Sequence, residues 1–142
     1  MTVARLREQD GLIANSIKLL AFIVVFFIVI LDIFSLFAAQ RTVRGNAFDA
    51  ASAAQDAYYT STTQSEPLAR SAATALLQEK GSVLVEGGFS VQRSSSQGAT
   101  FSVTATRHAK TYVAHYLTGV PGIGPSIKRW LDPVATGTSV RE

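Results

Sequence analysis

The sequence predicts an α+β protein: one N-terminal transmembrane helix that continues outward as an extended helix, a second short helix, then a small antiparallel β-sheet. Three observations carry this. Leu19 to Ala39 is an apolar run broken only by Asp32 and Ser35. Alanines recur at helical spacing directly after it. The second half then changes to alternation with a period of two.

The apolar run, LLAFIVVFFIVILDIFSLFAA, is a membrane span. As a helix it extends about 31 Å, the hydrocarbon thickness of a bilayer. Ile, Val and Phe occupy every face, which leaves no polar side for water and sets it apart from an amphipathic core helix. A cleaved secretory signal is the rival reading. Its apolar stretch is normally about 7–15 residues and ends at a small-x-small site; this run is longer, and Phe37-Ala38-Ala39 places Phe at the outer position.

Residues 1–18 read as a short cytoplasmic leader. Arg5, Arg7 and Lys18 outnumber Glu8 and Asp10, which by the positive-inside rule keeps the N-terminus in the cytoplasm and everything after Gln40 outside. Division of the chain follows: leader 1–18, span 19–39, extracytoplasmic helical region 40–80, sheet domain 81–142.

Beyond the span, Ala47, Ala50, Ala51, Ala54 and Tyr58 extend the helix to about Tyr59, since Ala is the strongest helix former. The Thr/Ser-rich run 60–65 ends it. Ser65 reads as an N-cap, Pro67 fits a first turn, and Leu68, Ala72, Ala75 and Leu76 make an apolar stripe up to Gly81. Phe89 and Val91, a polar turn at 94–98, and Phe101, Val103 and Ala105 describe a hairpin with one buried face. A short helix over His108–Leu117 would turn Tyr112, Val113, Tyr116 and Leu117 inward. Gly119 to Pro125 reads as irregular loop, and alternation from Val134 to Val140 as a closing strand behind Pro133.

Composition excludes several classes of chemistry. The chain has no cysteine, so disulfides, thiolate metal sites and Cys nucleophiles are absent together. A net charge of +3 without a Lys/Arg cluster gives no footprint for nucleic acid or anionic lipid. His108 and His115 would share a helix face, but no Asp or Glu lies between Glu86 and Asp132 to complete a metal site. Gly119–Gly124 is not a phosphate-binding motif. Ser94–Ser96 reads as a polar turn, and Trp130, next to Lys128 and Arg129, as a residue packed under the sheet or, in the alternative, a contact residue. The expectation is a protein that is not an enzyme, with no cofactor, no metal and no small-molecule substrate.

Two places remain as candidate sites. Gly11 and Leu12, between a charged leader and the apolar run, are a possible processing site. Asp32 is the second, because a carboxyl within hydrocarbon costs about 2.5–3.5 kcal/mol on insertion scales. Either it lies near enough to the outer boundary to reach water, or it is an intramembrane assembly contact. In the second case, Lys18 of a staggered identical subunit could supply the charge.

With these residues laid out, the chain resembles the TadE-like minor pilins and pseudopilins of tight-adherence (Flp) pilus loci, particularly actinobacterial forms. The resemblance is carried by Leu31-Asp32-Ile33-Phe34, by Phe37-Ala38-Ala39-Gln40-Arg41 through Ala47-Phe48-Asp49-Ala50-Ala51, and by the later Val103-Thr104-Ala105, Thr111-Tyr112-Val113-Ala114 and Val134-Ala135-Thr136. It implies a non-enzymatic subunit of an envelope-spanning pilus or secretion machine, with the membrane and other pilin or pilus-assembly subunits as partners. The family pattern has a Glu five residues after the Gly, thought to guide processing and assembly; here Ser16 stands there. The alternative is a free-standing bitopic protein whose outer domain binds an envelope ligand or regulates a membrane partner.

Overall fold

In the computed structural model, which describes residues 3–94 and 98–140, a single helix forms the axis of the molecule. This helix, α1, runs unbroken from Val3 to Thr60. Helix α2 (Glu66–Glu79) folds back against it, followed by strands β1 (Val83–Ser94) and β2 (Gly98–Thr106). A 3-10 turn (Ala114–Gly119), helix α3 (Gly124–Leu131) and strand β3 (Val134–Val140) complete the chain. Among the described residues the strands form one antiparallel sheet in the order β1-β2-β3. The fold class is α+β, with the long apolar helix, the further helices and the small sheet in the expected places.

The core is built on the C-terminal part of α1. Val43, Ala47, Ala50, Ala51, Ala54 and Tyr58 form one buried stripe at helical spacing. Ala69, Ala73 and Leu77 of α2 and Ala99, Phe101, Val103 and Ala105 of β2 close over it. Small side chains on α1 let the sheet come close. At Gly137 of β3 an added Cβ would collide with the backbone of Ala47 and Phe48, so only a hydrogen fits there. Tyr58 supplies the bulk at the far end, its ring edge-on to Phe101 with centroids 5.2 Å apart.

The junctions are fixed by hydrogen bonds. Ser61 ends α1 by donating to the Tyr58 carbonyl at 2.9 Å, while its hydroxyl accepts the Ser65 amide. At the end of α2, Gly81 takes a left-handed conformation (φ +67°); its amide bonds the Gln78 carbonyl and the Ser82 amide bonds that of Leu77. This is the paired closure that a glycine just past a helix permits. Buried Asn46 then donates to Ser82 Oγ at 2.8 Å, tying the α2–β1 connection to α1. The Tyr59 hydroxyl accepts the Ala99 amide at 2.8 Å and holds the start of β2.

Several expectations need correction. The buried face of α2 is Ala69, Ala73 and Leu77; Leu68 and Ala75 are exposed, and Ala72 and Leu76 only half-buried. Alanine on both faces hides the register, and packing against the alanines of α1 selects the narrower side. Residues 108–113 are not helical, and Tyr112, Val113, Tyr116 and Leu117 point outward. The 119–125 segment is loop only to Ile123, because α3 opens at Gly124-Pro125, where Pro has no amide to lose from a first turn. In β3 the inward residues are Ala135, Gly137 and Ser139. The hairpin pairs as expected from Phe89 to Ser94, but β1 begins earlier, at Val83, and bulges between Leu84 and Phe89. Of the 94–98 turn, residues 95–97 lie outside the described part of the chain, and with them most of the Ser94–Ser96 run.

Candidate functional site: a carboxylate latch on the apolar helix

Among the described residues, α1 is the one helix long and apolar enough to cross a membrane. From Ile17 to Leu31 its side chains lie almost wholly open: Phe22, Phe26, Phe27, Val25 and their neighbours have no protein cover. A bare apolar cylinder of this kind matches a single membrane span in length and composition. The backbone at Gly11 and Leu12 continues in α1 without a break.

Cover begins at Asp32, which is 5% exposed. Its carboxylate accepts three backbone amides: Tyr112 at 2.6 Å on Oδ1, Val113 at 2.8 Å and Ala114 at 2.8 Å on Oδ2. Val113 is the cap and Ala114 the first residue of the 3-10 turn, where amides lack intrahelical acceptors, and Tyr112 directly precedes it. A carboxylate in this position compensates both their orphan donors and their partial positive charge. One turn further out, Ser35 Oγ donates to the Lys110 carbonyl. The segment between β2 and β3 is thereby latched to α1 two helical turns before Ala39, about 10 Å inside the outer end of the apolar run.

This placement bears on both readings of Asp32. The group that would otherwise need water or a neighbouring subunit is met by its own chain. Lys18 is exposed and lies about 21 Å below Asp32 along the helix axis, so one chain does not bring the two together. The α+β domain also reaches further toward the N-terminus of α1 than residue 40, and its footprint overlaps the C-terminal third of the 19–39 run.

Other candidates resolve as structural. His108 Nδ1 faces Asp132 Oδ1 at 2.7 Å, while His115 Nδ1 lies 3.1 Å from the Thr111 carbonyl; they share no helix face. Among the described residues no three of His, Asp and Glu gather as a metal site would require. Trp130 is not under the sheet; it is 66% exposed on α3. It borders a groove of about 800 Å³ between Ile33, Leu36 and Phe37 of α1 and Pro133 and Val134 at the start of β3.

Sequence reasoning singled out Asp32 but missed its partners. They are backbone amides some 80 residues away, and an amide carries no residue-type signature. The only legible sign was the acid itself in an apolar run.

Comparisons with protein-family models, with curated proteins and with solved structures return no match to this chain.

Proposed function

We propose that this protein is a non-enzymatic, single-pass subunit of a pilus-like or secretion assembly in the cell envelope, with its N-terminus inside and its α+β domain outside. The observation that carries the reading is the division of α1 into two halves. From Ile17 to Leu31 it is a bare apolar cylinder, and from Val43 to Tyr58 it is the core of a small domain, on one uninterrupted axis. A rigid helix of this kind transmits position from membrane to domain and exposes a long apolar face on which identical or related helices can pack. The resemblance of the chain to TadE-like minor pilins and pseudopilins supports the same reading.

A second reading is favoured by two specific observations. Asp32 is fully partnered within its own chain, and Ser16 stands where the family pattern has Glu. Both suit a free-standing bitopic protein that acts through its outer domain.

Crosslinking separates the two. The chain has no cysteine, so single substitutions such as Ile23→Cys and Phe27→Cys on the exposed helix report contacts without background. An assembly subunit gives oxidant-dependent dimers or mixed adducts in native membranes on a subset of helix faces. Monomers at every face would overturn the assembly reading in favour of the bitopic one.

A further inference from the structure

We propose that the segment Lys110–Trp130 is a membrane-interface apron, lying in the headgroup region of the leaflet from which α1 emerges, and that lipid fills the groove beside Trp130. The inference rests on the reading of α1 as a membrane span and extends it to a second, non-spanning contact with the same bilayer.

Depth is the first argument. Hydrogen bonds from the Tyr112, Val113 and Ala114 amides to Asp32 fix the segment about 10 Å inside the outer end of the apolar run. Either the bilayer surface rises to meet the segment or the segment dips to meet the bilayer. In both cases it lies beside the lipid.

Composition is the second. Tyr112, Tyr116 and Trp130 are all more than 60% exposed, and Ile123 about half exposed. On a water-facing surface that concentration of bulky apolar groups is unfavourable, whereas Tyr and Trp are the side chains enriched at membrane–water boundaries. Charge is the third. Lys110, Lys128 and Arg129 lie in the same segment, and no acidic residue occurs from Ala109 to Leu131. The first acid beyond it, Asp132, is held by His108. The nearby carboxylates of Asp32 and Asp132 are engaged by the 112–114 amides and by His108, which leaves the three basic groups to match lipid phosphates.

Continuity is the fourth. One wall of the groove is α1 itself, at Ile33, Leu36 and Phe37, directly beyond the bare cylinder. An acyl chain packed along the span therefore continues along Ile33, Leu36 and Phe37 into the groove, and the polar lining at Gln40, Arg129 and Asp132 meets the headgroup.

Trp130 is the single tryptophan of the chain and reports on the apron unmodified. The full-length protein is reconstituted into phosphatidylcholine/phosphatidylglycerol vesicles, and Trp130 emission is read with lipids brominated at shallow or deep acyl positions and with aqueous iodide. Flotation after an alkaline wash reads anchoring separately. The expected result is blue-shifted emission, quenched more by shallow than by deep bromines, shielded from iodide, and unchanged as lipid is added at fixed protein. Floating protein whose Trp130 is quenched by iodide and not by brominated lipid would overturn the apron alone. Shielding that fades on lipid dilution would overturn it in favour of a second copy of the chain in the groove. Protein that fails to float would overturn the membrane span as well.

Discussion

The carboxylate of Asp32 accepts the amide of Val113 at 2.8 Å, joining the middle of an apolar helix to a loop 81 residues later in the chain. With the flanking bonds from Tyr112 and Ala114, this latch sets how far the α+β domain extends along α1 toward its N-terminus. Asp32→Ala removes every acceptor at once. Unsatisfied amides of this kind cost about 1–3 kcal/mol, so exchange of the 112–114 amides should accelerate by roughly tenfold to a hundredfold in the full chain in nanodiscs. Asp32→Asn, which turns an amide donor toward three other donors, should behave similarly. Core amides of β2 should stay protected in both. Unchanged exchange at 112–114 would show that the latch does not hold the segment.

Gly137 and Gly45 predict opposite outcomes for the same substitution. Gly137→Ala drives a methyl into the Ala47–Phe48 backbone, which cannot yield as a side chain would, and should destabilise the domain by about 3 kcal/mol or more. Gly45 lies within α1 with open space around its missing Cβ, so Gly45→Ala should stabilise by about 0.5–1 kcal/mol. Denaturant unfolding in micelles, followed by far-UV circular dichroism, reads both. Equal effects of the two substitutions would contradict the close helix–sheet approach.

The register of α2 is tested by its leucines. Leu77 is fully buried, so Leu77→Ala should cost about 2–5 kcal/mol. Leu68 is largely exposed, so Leu68→Ala should stay within about 0.5 kcal/mol. Chemical denaturation of both variants is decisive, because the apolar stripe read from sequence predicts a substantial loss at Leu68.

These residues also show what was legible beforehand. The apolar run, its alanine-rich continuation and the Phe101–Val103–Ala105 alternation state their structure locally, so α1 from Leu19 to Tyr59, the extent of α2 and the hairpin from Phe89 could be read directly, whereas the helical start of α1 at Val3 and the bulged start of β1 could not. Leu68 and Leu77 could not be ranked, because α2 has alanines on both faces and only the partner surface decides which turns inward. In β3 the larger residues, Val134, Thr136 and Thr138, face outward, since contact with α1 demands Ala135, Gly137 and Ser139. Residues 108–131 were the least legible. Their backbone is organised by Asp32, by the Ala109 amide bonding the Leu131 carbonyl at 2.7 Å, and by a Pro-initiated helix. None of those leaves a periodic side-chain pattern.

Asn46 is the buried polar contact that joins three elements. Asn46→Ala leaves the Ser82 hydroxyl without its donor and should cost about 1–3 kcal/mol. Asn46→Ser should recover part of that. The neighbouring Lys80–Asp49 ion pair is exposed on both sides, and its removal should change stability by less than about 1 kcal/mol. Unfolding curves that reverse this order would place the α1–α2 junction under ionic rather than buried hydrogen-bond control.

The most direct test of the central claim, one helix crossing the membrane with the α+β domain outside, is labelling of single cysteines in intact cells. Gln9→Cys and Thr138→Cys report the two ends of the molecule in a chain otherwise free of thiols, and Thr138 is exposed on β3. A membrane-impermeant maleimide should modify Thr138→Cys before lysis and Gln9→Cys only after it. Labelling of Gln9→Cys in intact cells with Thr138→Cys protected would reverse the orientation. Recovery of the protein in the soluble fraction would contradict the anchor itself.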